Sequence, residues 1–347
     1  MKKINFAVVG AGRIGKRHIS IIEANANADL CAVCDIRPRE VTGIDSRTDY
    51  YNSISEMLGS HPEIDIVNVC TPNSFHSRMA VEVLNAGYNV LVEKPLALSV
   101  ADAREVVDAE KRSGKKVFCV SQNRFSPSLQ WIKLILDKQC LGRVNAVNVY
   151  CLWNRDNNYY NTNGWHGTQE FDGGVLYTQF AHFIDILLWL FGTVKSVDAA
   201  QFSNFAHQST TEFEDTGSVL LTLDNGASVN FMYTTAVAHA NFESSIIIMG
   251  SKGTIKLDGQ YMDHLSYCNI PDCDVPSMDD MYKSGDQKPT AMNHNFVIQN
   301  VIDTLNGVGN VSTTAAEGMA ISDLIGRIYQ LRKNQFKPDK KLIYKPL

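Results

Sequence analysis

Val8-Val9-Gly10-Ala11-Gly12-Arg13-Ile14-Gly15 sets three glycines at GxGxxG spacing between a short β-branched run and an amphipathic stretch, Ile14 to Glu23. This constrains the chain more than any other feature, because the motif has a physical meaning only as a strand, a tight turn and a helix. Gly10 permits the turn, Gly12 lets the backbone approach a pyrophosphate, and Gly15 lets helix and strand pack closely, with the anion at the helix N-terminus. An acid, Asp35, stands 20 residues after Gly15 at the end of the next run, where it can accept both hydroxyls of an adenosine ribose. A carboxylate there repels a 2′-phosphate, so NAD is expected rather than NADP, with Arg37 partly offsetting the preference.

The pattern continues. Ala28 to Cys34, Ile66 to Cys70, Asn89 to Glu93 and Lys116 to Ser121 are strand-like, with helical stretches Phe75 to Ala86 and Val100 to Ser113 between them. Strand, helix, strand at this spacing means right-handed crossovers and a parallel sheet covered on both faces. The predicted fold is therefore α/β, with a doubly wound Rossmann domain over residues 1–122. After Arg124 longer alternating runs appear, Val144 to Trp153, Val194 to Gln201, Gly217 to Leu223 and Ala227 to Thr235, with Asp224-Asn225-Gly226 as a hairpin signal. Residues 123–347 are expected to form an α+β domain for substrate binding and oligomerisation, built on a large, mainly antiparallel open sheet. Gly174 to Phe191 is apolar nearly all round and reads as one central helix. Tyr261 to Thr290 reads as an irregular excursion, and two helices, Asn295 to Leu305 and Ala315 to Leu331, close the chain.

With 347 residues and a formal net charge of −5, the chain lacks the basic excess of a nucleic-acid binder. Its opening, Met1-Lys2-Lys3 and then Ile4 to Val9, imitates a signal peptide, but the apolar run breaks at Gly10 and basic residues follow, so it reads as a first strand. No stretch is long enough to span a membrane. The eight cysteines are spread through apolar runs and are expected to be buried free thiols in a reducing cytoplasm. Cys31 and Cys34 have CxxC spacing, but on a strand they face opposite ways and close poorly on a metal. His61, His207, His239 and His264 show no clustered carboxylate or thiol, so no metal site is expected.

Thr71 and Lys94 fall at carboxyl ends of parallel strands, which face the cofactor crevice in such folds, so the lysine is aimed at the nicotinamide. There it can hold a substrate hydroxyl and favour the developing alkoxide. His76 is expected on the nicotinamide side. Trp153, Tyr159, Tyr160 and Trp165 lie in a polar, irregular stretch: either a surface loop with buried aromatics, or a pocket wall whose rings stack on sugar and uracil while Arg155 or Arg124 forks onto a carboxylate or phosphate. His182, in an apolar helix, reads from its setting as a satisfied core histidine.

Thr71-Pro72-Asn73-Ser74-Phe75-His76, Glu93-Lys94-Pro95, Gln122-Asn123-Arg124-Phe125, Asp172-Gly173-Gly174 with His182 and Asp185 following, and Glu317-Gly318 occur in an order that resembles the Gfo/Idh/MocA family of sugar and cyclitol dehydrogenases. Trp153-Asn154-Arg155, Tyr159-Tyr160 and Trp165-His166-Gly167-Thr168 are most similar to the bacterial members that oxidise the C3 hydroxyl of UDP-N-acetylglucosaminuronate. The resemblance implies Lys94 and His182 as the catalytic pair, with His182 as general base; histidine's ordinary pKa of about 6.5 suits that task. It implies NAD held by Gly10, Gly12, Arg13, Ile14, Gly15, Asp35, Arg37, Thr71, Pro72, Asn73, His76, Glu93, Lys94 and Gln122. It implies substrate held by Lys94, Arg124, Trp153, Asn154, Arg155, Tyr159, Tyr160, Trp165, Asp172, Thr178, Gln179 and His182. Asp185 either orients the imidazole or makes a salt bridge. The family commonly carries an Asp four residues before this His; Thr178 stands there instead, which leaves His182 with Lys94 as the main acid-base pair. Expected partners are a small-molecule sugar and further copies of the chain, as dimer or tetramer, with no nucleic acid or membrane. Alternatives are a free-sugar or inositol dehydrogenase of the same family, a non-catalytic NAD-sensing regulator, and NAD-dependent carbon-oxygen or glycoside cleavage begun by transient C3 oxidation.

Overall fold

The β-branched runs of the first third form strands β1 (Ile4–Val9), β2 (Ala28–Cys34), β3 (Asp49–Tyr51), β4 (Ile66–Val69), β5 (Asn89–Val92) and β6 (Val117–Cys119) in a computed structural model that describes residues 1–162, 164–270, 273–283 and 292–332. They make one parallel sheet in the order β3-β2-β1-β4-β5-β6, which reverses direction at β1/β4. Helices α1 (Arg13–Glu23), α2 (Arg39–Thr42), α3 (Ile54–Ser60), α4 (His76–Asn85) and α5 (Val100–Ser113) join them. Every residue of β4 and β6 is buried, as expected of strands covered on both faces. Burying each Val, Leu or Ile side chain contributes about 1.5–3 kcal/mol before entropy is counted. The three-residue edge strand β3 carried too little pattern to be read in advance.

The chain divides into two compact units. The first comprises Met1–Ser121 and His294–Asp323, the second Gln122–Asn293 and, among the described residues, 324–332. This departs from a single change of domain at residue 122. Residues 294–323 return to the first unit, where α11 (His294–Leu305) packs on α1.

The second unit holds α6 (Pro127–Asp137), α7 (Asn157–Asn161), α8 (Val175–Thr178), α9 (Ala181–Phe191) and α10 (Met278–Lys283); α12 (Ala315–Arg332) begins in the first unit and ends in this one. Its seven strands are β7 (Val144–Leu152), β8 (Val194–Ser203), β9 (Thr216–Leu223), β10 (Ser228–Thr234), β11 (Glu243–Gly250), β12 (Thr254–Asp258) and β13 (His264–Asn269). Their order is β13-β12-β11-β7-β10-β9-β8, and every pair is antiparallel except β10 with β7. Alternate residues Val219, Leu221 and Leu223 of β9 and Val229, Phe231 and Tyr233 of β10 are buried on the covered face. There Phe180 lies 5.4 Å from the Tyr233 ring.

Three expectations are corrected here. Gly174 to Phe191 is not one helix, because the chain breaks at Gln179 and Phe180 between α8 and α9. The excursion from Tyr261 contains β13 and α10; its residues 271–272 and 284–290 lie outside the described residues. The cysteines are not all free: Cys140 and Cys273 form a disulfide with Cα atoms 5.6 Å apart, while Cys268 is exposed and Cys31 half-buried. The segment carrying Cys273 is drawn onto α6, where Trp131 Nε1 donates to Pro276 O and Lys138 Nζ to Asp274 O. No described helix is long and apolar enough to cross a membrane.

Candidate active site

In the first unit the glycine turn is built as its chemistry demands. Gly10 has φ +94°, and a Cβ on it would meet Cys70 O at 2.7 Å; a Cβ on Gly15 would lie 1.8 Å from Gly10 O. Gly12 differs: it is the N-cap of α1, no side chain caps the helix, and a Cβ there would meet nothing within 4 Å. The first N–H groups of α1 therefore open onto room for an anion. Arg13 is exposed and Ile14 half-buried beside it.

Asp35 follows β2. Its Oδ2 accepts from Ala11 N at 2.7 Å and from Arg37 Nη2 at 2.9 Å, and its Oδ1 accepts from Arg37 N and Nε, both at 2.9 Å. Burial pushes this carboxyl up, but the bonds from Arg37 and Ala11 outweigh it and hold the group below the usual range. Arg37 thus lies on both oxygens of the Asp35 carboxylate. Across the switch point Thr71 lies two residues past β4, and Pro72 precedes the short turn Asn73–Phe75. Thr71 Oγ1 is buried with no hydrogen-bond partner. An orphaned hydroxyl, an uncapped helix N-terminus and a carboxylate at the end of the next strand together fit a dinucleotide.

Lys94 is half-buried just past β5. Two of its neighbours depart from expectation. His76 does not offer a nitrogen to the nicotinamide: Nδ1 lies 2.7 Å from Pro95 O and Nε2 2.8 Å from Thr71 O, and burial pushes its pKa down. It ties the two strand ends together. Glu93 Oε1 likewise has an internal partner, His18 Nε2, at 2.9 Å. His294 Nε2 stands 3.7 Å from the same oxygen. Among the described residues these three form the group whose ligand atoms come closest to a metal geometry. A hydrogen bond already occupies the space between His18 and Glu93, so we read it as a charge cluster. His18 lies on the buried stripe of α1 with Gly15, Ile19 and Ile22. A histidine on such an apolar stripe was the sequence signal that could have singled it out.

In the second unit His182 is the second residue of α9, with Nε2 3.4 Å from Gln122 Nε2. Gln122 therefore sits against the imidazole. Arg124 and Asp185 find each other: Nη2 donates to Oδ1 at 2.6 Å and Nε to both oxygens at 3.1 Å, both side chains being buried. Arg124 is thus committed internally instead of forking onto a ligand, and Asp185 makes a salt bridge. Thr178 does not line up with His182 on one helix. Its hydroxyl donates to Asp172, which also accepts from Gly167 N, so Asp172 braces this loop.

Arg155 is the centre of a partly exposed group. Its guanidinium lies 5.0 Å from the Trp153 ring and 5.4 Å from that of Tyr159. Nε donates to Gln179 Oε1 and Nη1 to Asn241 Oδ1, while Gln179 Nε2 donates to Tyr159 Oη. Asn154 joins through its backbone N–H on Asn241. Asn241 had no motif to reveal it. Tyr160 is buried against His207 and bonded to Thr235. Trp165, half-buried, packs at a tilt against His166, which in turn stacks on Tyr159. Histidines expected to lack carboxylates have them: His61 meets Asp49 and Glu63, His207 meets Asp215, and His264 meets Asp258.

Two family models match the chain. One is the oxidoreductase family with NAD-binding Rossmann fold over residues 4–121, and the other the GFO/IDH/MocA C-terminal domain over residues 129–256. The structure is similar to the WlbA dehydrogenase of Chromobacterium violaceum in complex with NADH and UDP-GlcNAcA, with a TM-score of 0.87 and 34% identity, covering 96% of this chain and 95% of that one. It is similar to the WlbA dehydrogenase of Bordetella pertussis in the same complex, with a TM-score of 0.86 and 32% identity over 96% of both chains. An inositol 2-dehydrogenase of Rhizobium meliloti is 23% identical over 258 residues, 74% of this chain and 76% of its own.

Proposed function

Since this chain belongs to the Gfo/Idh/MocA family of NAD-dependent oxidoreductases, we propose that its substrate is a UDP-activated amino-sugar uronate, UDP-N-acetylglucosaminuronate, oxidised at its C3 hydroxyl. The observation that carries this reading is likeness over nearly the whole chain to two proteins crystallised with that nucleotide sugar. The group around Arg155 supports it. A cation flanked by two aromatic rings and two amides suits a large, anionic, partly aromatic ligand and exceeds what a small polyol needs.

Bound NAD supplies the hydride acceptor. In this reading Asp35 takes the adenosine ribose once Arg37 swings off it, the N-terminus of α1 takes the pyrophosphate, and Thr71 Oγ1 gains the partner it lacks. Lys94 Nζ donates a hydrogen bond to the reacting hydroxyl oxygen and stabilises the negative charge that develops there. His182 Nε2, held by Gln122, takes the hydroxyl proton. Binding energy from the distant nucleotide and carboxylate fixes the ring in the reactive pose.

The open face of the second sheet points to a homo-oligomer, dimer or tetramer. Leu220 on that face is 44% exposed in the single chain, and Met232 and Ile247 are half-buried on neighbouring strands. Light scattering at micromolar concentration tests it, and a monomer contradicts it. The substrate assignment is tested by adding UDP-N-acetylglucosaminuronate, UDP-N-acetylglucosamine, free sugars and inositol in turn to NAD-loaded protein and following reduction of the bound cofactor.

A further inference from the structure

The Glu93 carboxylate is buried beside the residue assigned to the chemistry, and nothing in the mechanism above uses it. A carboxylate in such a place is costly unless charge and hydrogen bonds answer it. Here both oxygens are answered. Oε1 accepts from His18 Nε2 at 2.9 Å, and Oε2 accepts from the backbone N–H of Lys94 at 3.2 Å. His18 reaches this point from α1, the same helix whose uncapped N-terminus at Gly12 opens onto the pyrophosphate position. Its other nitrogen, Nδ1, lies 3.1 Å from the side-chain amide of Asn68 on β4; turned over, that amide brings its otherwise unpartnered Oδ1 to accept from Nδ1–H of a doubly protonated ring.

We propose that His18 and Glu93 are positioning residues for Lys94: a buried ion pair that runs from the cofactor helix to the end of β5, fixes the backbone at Lys94 and balances the charge beside its ammonium. The proposal rests on Lys94 being the group that acts on the substrate hydroxyl. The charged and titratable groups facing the pair are Cys70 at the end of β4, His294 from α11, and Lys94 itself, with Arg17 of α1 acting on His294. Burial opposes charge on His18; Glu93, ionised through the neutral range, favours it and raises its pKa, whereas Cys70 does so only as a thiolate. Burial keeps Cys70 a neutral thiol, so Glu93 is the anion that answers His18. Burial drives His294 down to about 4, so it stays neutral and leaves one cation against one anion.

The signs follow from charge alone. Glu93→Gln keeps an acceptor for the Lys94 N–H but removes a negative charge near the ammonium, so the lysine loses its proton more easily. His18→Gln removes the balancing cation and leaves Glu93 unanswered, so the lysine holds its proton more firmly. A packing role alone moves neither, and nothing in packing makes the two shifts opposite.

The test needs no substrate. Lys94 acylation by acetic anhydride is followed against pH on the full chain by peptide mass spectrometry, with melting temperature and NAD affinity confirming that each variant is folded. We expect the reactivity midpoint to fall in Glu93→Gln and rise in His18→Gln, each by about half a pH unit or more. Midpoints unmoved in both folded variants overturn the proposal. Where Glu93→Gln does not fold, the unmodified chain decides: its 15N imidazole spectrum must show His18 doubly protonated about pH 8, and a neutral His18 overturns the proposal. Turnover with whichever sugar the unmodified chain oxidises should show its alkaline limb moving in the same opposite directions. Failure of the uronate to reduce bound NAD removes the substrate assignment and leaves the labelling result to stand by itself.

Discussion

Arg124 Nη2 lies 2.6 Å from Asp185 Oδ1 in the interior of the second unit, closing a fork in which Nε also donates to both carboxylate oxygens. The pair joins the turn that carries Gln122 to the helix that carries His182, and so holds the imidazole and its amide neighbour at a fixed separation. Breaking it from one side leaves a buried guanidinium unanswered. We expect Asp185→Ala to destabilise the chain by about 3–5 kcal/mol in urea unfolding. A loss under about 1 kcal/mol would show that the pair is solvated in solution.

Asp35 and Arg37 decide between cofactors. Arg37 occupies both oxygens of the carboxylate proposed to take the ribose. Asp35→Ala should narrow the gap between NAD and NADP. Arg37→Ala should weaken NADP by about tenfold or more while leaving NAD equal or tighter. Titration calorimetry of both cofactors checks this, and unmutated protein that prefers NADP contradicts it.

Gly12 and Gly15 separate cofactor binding from folding. Nothing lies within 4 Å of a Cβ on Gly12, whereas a Cβ on Gly15 would strike Gly10 O at 1.8 Å. We expect Gly12→Ala to keep its melting temperature and lose NAD affinity by about tenfold or more, because the methyl group fills the pyrophosphate approach. Gly15→Ala should lose both. Equal NAD affinity in Gly12→Ala and the unmutated protein sinks the cradle reading.

His18 and His294 pull stability in opposite directions with pH. The folded-state value of His18 is raised, so its contribution is complete below the ordinary histidine value and is lost as pH rises through the raised value. The value of His294 is lowered to about 4, so its contribution is complete above the ordinary value and is lost as pH falls toward about 4. Their sum is greatest near about pH 6.5, with each limb falling by at most about 1.4 kcal/mol per pH unit per group. Urea unfolding at a series of pH values should show His18→Gln flattening the alkaline limb and His294→Asn the acid limb. Identical profiles in all three proteins refute the assignment.

Much of this was legible where the signal is local. The glycine turn, the acid after β2 and the alternation of short apolar runs with amphipathic helices each depend on neighbours within one turn or one strand. β13 was not legible, because its residues are nearly all exposed and an edge strand without a buried face shows no alternation. The break between α8 and α9 was hidden for the opposite reason: a segment buried all round has no polar stripe whose phase could slip at Gln179. Arg124 and Asp185 are 61 residues apart, and no periodicity pairs groups over that distance. His76 and Glu93 sit in motifs that resemblance assigns to the cofactor, yet their side chains bond to Pro95, Thr71 and His18.

The central claim is the substrate. NAD-loaded protein should be mixed with saturating UDP-N-acetylglucosaminuronate in a single turnover and followed at the absorbance of reduced nicotinamide, which avoids an equilibrium that disfavours free NADH. We expect bound NAD to be reduced, Lys94→Ala and His182→Asn each to slow that step by about a hundredfold or more with NAD affinity nearly intact, and Arg155→Ala to raise KM far more for the uronate than for UDP-N-acetylglucosamine. Reduction by a free sugar or inositol but not by the uronate contradicts the substrate assignment.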